Sequence, residues 1–104
     1  MSELISEKLI QAGHRVTTPV DSYVAIELLS GTGFDLIILD DQMQLMTADG
    51  FLDVLSEEGI TAPVILLSGS PDTKVDVNSP GISGILRKPF PMDLLISKAG
   101  DLLK

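Results

Sequence analysis

Three short apolar runs, each leading into a polar residue, constrain this chain more than any other feature. Leu36-Ile37-Ile38-Leu39 ends in Asp40, Val64-Ile65-Leu66-Leu67 ends in Ser68, and Ile85-Leu86 leads through Arg87 to Lys88. Aliphatic, β-branched runs with no polar alternation suit strands covered on both faces, which is the situation of parallel strands. Parallel strands need crossover connections, usually helices, and the spacing between the runs is helical.

Residues 2–12 place Leu4, Ile5, Leu9 and Ala12 on one face of a helix, with Gly13 as its stop. His14 to Thr18 is a short strand candidate. Asp21 or Ser22 caps a second helix running through Leu29, closed by the Gly31-Thr32-Gly33 turn. Asp35 to Asp40 is a strand. Asp49 to Glu58 is a third helix, ended by Gly59, and Pro63 to Leu67 is a further strand. Gly84 to Leu86 begins the last strand. Pro91 belongs in the first turn of a closing helix, with Leu94, Leu95, Ala99 and Leu102 facing inward. Pro71 to Ser83 breaks the pattern with Pro71, Pro80 and Gly81, and reads as loop or at most a short helix. The alternation predicts an α/β fold, a parallel sheet with helices on both faces, formed by residues 1–104 as a single domain.

Composition narrows the function. Seven basic against fifteen acidic side chains give a formal charge of −8, which argues against nucleic acid as a partner, since that requires clustered Lys and Arg. The balance is compatible with a cationic ligand, such as a divalent metal, or a basic partner surface, and equally with charge that simply keeps a small protein in solution. Zero cysteines exclude disulfides and thiolate metal sites. Glu3, Glu7 and Lys8 exclude a signal-peptide core from the first helix. No apolar run approaches the roughly 18 residues that span a bilayer, so no membrane partner and a cytoplasmic location are expected. His14, just past a helix-ending glycine, reads as a turn residue, and Gly31-Thr32-Gly33 lacks the lysine and spacing of a P-loop.

In open parallel sheets ligands gather at the carboxyl ends of the strands, where Asp40, Ser68 and Lys88 all fall. Singly, each is compatible with a capped turn or a solvated strand end; together they form a phosphoryl-accepting set. A carboxylate can take a phosphoryl group as an acyl phosphate, and the transferred group needs positioned positive charge and hydrogen bonds.

Those residues resemble the receiver (CheY-like) domain of two-component response regulators, over nearly the whole length. Phe34 to Asp40 looks like the family's third strand, Met43 and Met46 keep the spacing of its M-P-x-M turn, Ser68 matches its hydroxyl position, and Lys88-Pro89-Phe90 its K-P-F motif. The resemblance implies a flavodoxin-like three-layer fold with strand order 2-1-3-4-5. It also implies Asp40 as phosphoacceptor, Ser68 and Lys88 as phosphate-binding groups, and a cis Lys88–Pro89 bond. Mg²⁺ would be held by Asp40 and the Gln42 backbone carbonyl. The implied partners are a histidine kinase or phosphotransfer protein and a downstream output protein, and the domain is expected not to be an enzyme.

Departures from the family temper that function. Its first strand and the acidic pair after it have no counterpart, because Met1 already falls within the first helix; Asp41 or Glu3 are the partial substitutes available. Mg²⁺ is therefore expected to bind weakly or not at all. Gln44 replaces the turn proline, two extra residues precede Gly50, and Ile85 stands at the switch position where the family has Phe or Tyr. The missing strand would forfeit on the order of 5–10 kcal/mol of burial, comparable with a domain's net stability of about 5–15 kcal/mol. Compensation is open between direct pairing of the 14–18 and 34–40 strands, a strand from a second copy in a homodimer, a partner's strand, and a natural start upstream of Met1. Two functions compete: a degenerate phosphoacceptor receiver, and a phosphorylation-independent interaction or dimerisation module.

Overall fold

A computed structural model describes residues 2–19, 21–31, 33–40, 46–69 and 81–103. In chain order these form α1 (Ser2–Gln11), α2 (Ser22–Gly31), β1 (Ile37–Asp40), α3 (Ala48–Glu57), β2 (Val64–Ser68), β3 (Ile82–Arg87) and α4 (Met92–Leu102). Local chemistry explains most of the boundaries. α1 ends in a left-handed Gly13 (φ 98°), with Gly13 N–H donating to the Ile10 carbonyl and His14 N–H to that of Leu9. α3 closes the same way: Gly59 (φ 72°) donates to Ser56, and Ile60 to Leu55. Only a residue tolerating positive φ completes this pair of bonds cheaply. At the other ends, the Asp21 carboxylate accepts from Val24 N–H at 2.9 Å, and Thr47 Oγ1 from Gly50 N–H at 3.1 Å.

Among the described residues the sheet has three strands in the order β1-β2-β3, all parallel. Ile37 pairs with Val64 and Asp40 with Leu67 on one side; Ile65 pairs with Gly84 and Ser68 with Arg87 on the other. All five residues of the central β2 are buried. Because successive strand side chains point to opposite faces, each apolar run feeds two cores. Ile37, Leu39, Val64 and Leu66 pack with Phe51, Leu52 and Leu55 of α3 and with the inner residues of α2. Ile65, Leu67 and Leu86 pack with Ile5 and Leu9 of α1 and with Leu95 and Ala99 of α4. That double duty is why the runs carry no polar alternation.

Several expectations change in detail. Residues 14–18 are not a strand: the segment belongs to no ladder and so does not pair directly with β1. It is held instead by a 3.1 Å hydrogen bond between the Ser6 and Thr18 hydroxyls and by Val16 packing on the α1–α4 core. β1 begins at Ile37, not Asp35, where Ile37 N–H first bonds the Pro63 carbonyl. β3 begins two residues before Gly84, because Ile82 pairs with Val64 across an irregularity in register between Val64 and Ile65. Residues 71–80, expected to be irregular, lie outside the described residues. Pro91 is the cap of α4, with no side-chain cap bond, and not a first-turn residue. Leu4 and Leu94, assigned inward, are 49% and 48% exposed, and Ala12 is exposed too; the sheet contacts a narrower stripe of α1 and α4 than the apolar spacing marks. Among the described residues no helix is long and apolar enough to cross a membrane.

Candidate functional site

Asp40 is the last residue of β1, Ser68 the last of β2, and Lys88 the first residue beyond β3. The parallel registers bring all three to one edge of the sheet. β1 and β3 are not neighbours; with strands about 4.8 Å apart, an end-to-end contact between them must cross the end of β2. Lys88 has the reach. Its Nζ donates to Asp40 Oδ1 at 2.8 Å and to Oδ2 at 2.9 Å, so one ammonium holds both carboxylate oxygens. The small Ser68 closes the strand between them and is 2% exposed. Its carbonyl accepts the Lys88 backbone N–H at 2.7 Å, which continues the β2–β3 ladder one step and fixes where the lysine starts. The following Lys88–Pro89 peptide bond is cis.

The pair is unevenly solvated: the Lys88 side chain is 15% exposed and that of Asp40 40%. Lys88 thus lies against the protein while the carboxylate is the more open to solvent. With the carboxylate this exposed, solvent screening limits the pair to about 1 kcal/mol, weak enough to be remade around an incoming group. Ile85, on β3 opposite Leu66, is half-buried and packs on the α2–α3 core. Met46 packs there as well. Asp41, Gln42, Met43 and Gln44 lie outside the described residues, and so does the Glu3 side chain.

A bound Mg²⁺ requires several oxygen donors and tends to keep waters on one or two carboxylates. Among the described residues no group of three His, Cys, Asp or Glu side chains is placed to hold a metal. Asp40 already shares both oxygens with an ammonium. Of the donors assigned to the ion, Asp40 alone is among the described residues.

The sequence reading assigns Lys88 to a phosphoryl oxygen and says nothing of a contact between Lys88 and Asp40. Their direct grip was not foreseen, since residues 48 apart in sequence leave no periodic signal of contact. Gly84 was also passed over as a packing position: a Cβ there would run into Cε of Lys98 on α4, so the glycine lets that lysine's stem lie across β3.

A parallel sheet with helices on both faces, and an acidic, a hydroxyl and a lysine residue at its carboxyl edge, defines an α/β domain with a polar site at the strand ends. Residues 1–99 match the response regulator receiver domain, and the chain belongs to that family. It is 28% identical over 102 residues to the transcriptional regulatory protein TcrA of Mycobacterium tuberculosis, an alignment covering 94% of this chain and 40% of that protein. The chain thus spans well under half the length of this curated relative. Among solved structures, the receiver domain of the Francisella response regulator 1452 aligns with TM-score 0.86 and 28% identity, covering 97% of this chain and 85% of that one. Vibrio cholerae chemotaxis protein CheY4 aligns with TM-score 0.79 and 30% identity, over 97% and 88% respectively.

Proposed function

We propose that this receiver domain takes a phosphoryl group onto Asp40 from a phosphohistidine of a partner kinase or phosphotransfer protein. The phosphorus–nitrogen bond of the donor breaks as an Asp40 carboxylate oxygen bonds to phosphorus; the imidazole keeps the electron pair and takes up a proton. Lys88 supplies the compensating charge and the Ser68 hydroxyl donates to a phosphoryl oxygen. The observation that carries this reading is the two-oxygen contact of Lys88 Nζ with Asp40: a cation already stands where negative charge will accumulate, and needs little reorganisation to meet it. The new group, close to a dianion, draws Lys88 off the aspartate. Lys88 follows β3, so Ile85, three residues earlier and packed on the α2–α3 core, is the natural relay to a surface read by an output protein.

The experiment is intact mass after incubation with acetyl phosphate, with and without Mg²⁺, beside Asp40→Asn. The expected outcome is a gain of about 80 Da, one phosphoryl group, in the parent protein alone. Weak dependence on Mg²⁺ is expected, given the donor set.

A second reading starts from the departures from the family pattern: with Gln44 in place of the turn proline and Ile85 at the switch position, the domain can act as a phosphorylation-independent binding or dimerisation module. No mass gain over hours, with the fold intact, would select it.

A further inference from the structure

The carboxyl edge of the sheet carries a second cation beside Lys88. Arg87 is the last residue of β3 and the Cα partner of Ser68, the last of β2, so the two lie about 4.8 Å apart. Strand alternation fixes the side to which each projects. Leu66 and Ile85 pack on the α2–α3 core, Leu67 and Leu86 on the α1–α4 core. Ser68 and Arg87, one residue further along, therefore leave the sheet on the α2–α3 side. By the same rule Asp40 follows Ile38 to the α1–α4 side, where Lys88 follows Leu86. The edge is divided, with Lys88 and Asp40 on one side and a buried Ser68 beside an exposed Arg87 on the other.

Charge separates the two sides. The chain has a formal charge of −8, a field that repels an anionic phosphoryl donor. Lys88 does not offset that repulsion before transfer, because its ammonium is matched by the Asp40 carboxylate at 2.8 and 2.9 Å. Arg87 makes no ion pair with a described residue. The other described basic residues are elsewhere, Lys8 on α1, Lys98 on α4 and Arg15 in the segment after α1. Among the described residues Arg87 is thus the uncommitted cation at the strand ends. Its guanidinium suits the place, since a planar fork binds two phosphate oxygens at once and stays charged.

We propose that Arg87 captures the incoming phosphoryl group. It holds two oxygens of the donor's phosphate on the Ser68 side of the edge, and Lys88 meets the group as it reaches Asp40. The role is binding before transfer, and it rests on the phosphoryl-transfer reading of Asp40. The ligand is the phosphoryl group itself, whether carried by an acyl phosphate or by a phosphohistidine.

The test has two arms. In the first, inorganic phosphate is titrated into ¹⁵N-labelled Asp40→Asn protein, which has no carboxylate to phosphorylate at that position, and followed at the Ser68, Arg87 and Lys88 amides. Saturable shifts are expected. Arg87→Gln should weaken binding about two- to ten-fold, the range from one exposed ion pair to one charge-assisted hydrogen bond, and Arg87→Lys should recover part of it. Equal phosphate binding with and without Arg87 would overturn the proposal. In the second arm, the rate of mass gain of the parent chain is measured against the concentration of acetyl phosphate and of phosphoramidate, whose phosphorus–nitrogen bond stands in for that of phosphohistidine. Arg87→Gln should raise the half-saturating concentration of both by a similar factor and leave the maximal rate nearly unchanged, the mark of lost ground-state binding. An effect on one donor alone would also sink the idea, because Arg87 would then be reading the leaving group. No mass gain with either donor, beside Arg87-dependent phosphate binding, would remove the transfer reading and leave the phosphate site standing.

Discussion

Lys88 occupies the position on which the site's chemistry turns, because one side chain both neutralises Asp40 and joins the two outer strands of the described sheet. Lys88→Ala leaves the carboxylate in place and removes the charge proposed to meet an incoming phosphoryl group. The rate of mass gain with acetyl phosphate should fall at least about ten-fold, as for loss of one charge-stabilising donor. Stability should change by no more than about 1 kcal/mol, since the carboxylate is largely solvated, and urea denaturation separates the two effects. Lys88→Arg should not restore the rate, because a planar fork cannot replace a compact ammonium reaching across β2. Gly84→Ala brings a Cβ against the far end of the Lys98 side chain. A flexible stem can swing aside, so the expected cost is below about 1 kcal/mol, and Lys98→Ala in the same background should recover it. At this scale the placement of Asp40, Ser68 and Lys88 at one edge of the sheet was readable from their positions at the ends of apolar runs. The direct Lys88–Asp40 contact was not, since it depends on which strand lies between them.

Helix boundaries depend mostly on neighbours within five residues, and here the reading from sequence fared well. Gly13 and Gly59 stop helices for the reason their φ angles show, and Thr47 opens α3 by accepting from Gly50 N–H. Thr47→Ala should cost about 1 kcal/mol. Gly59→Ala, forced into the left-handed region, should cost about 1–2 kcal/mol, both read as shifts in the denaturation midpoint. Glu58→Gln removes a like charge from the negative end of α3 and should raise stability by a few tenths of a kcal/mol. The misreadings at this scale concern faces and pairing. Leu4 and Leu94 satisfy helical spacing yet stand in solvent, because α1 and α4 press a narrower stripe onto the sheet than the apolar pattern suggested. Leu95, fully buried on α4, marks the true inward line, and Leu95→Ala should cost about 2–5 kcal/mol.

Two cores share one three-stranded sheet across the described molecule, and the same four to six residues of each strand serve both. Around them lies a surface with net charge −8, whose self-repulsion opposes compaction. Raising the ionic strength from about 10 to about 200 mM shortens the screening length from roughly 30 Å to under 10 Å, and should raise the thermal midpoint by several degrees, measured by circular dichroism. An unchanged midpoint would mean that the acidic residues are too dispersed to repel effectively. What the sequence by itself determined are the features written in short windows. These are buried parallel strands from unbroken aliphatic runs, helix stops from glycine, and three polar groups at strand ends, all consequences of backbone periodicity and local sterics. Tertiary structure alone decided the rest: that residues 14–18 run without a ladder, and that Lys88 reaches past the end of β2 to Asp40. Each of those depends on residues tens of positions apart being brought together by packing, and no local period records such a meeting.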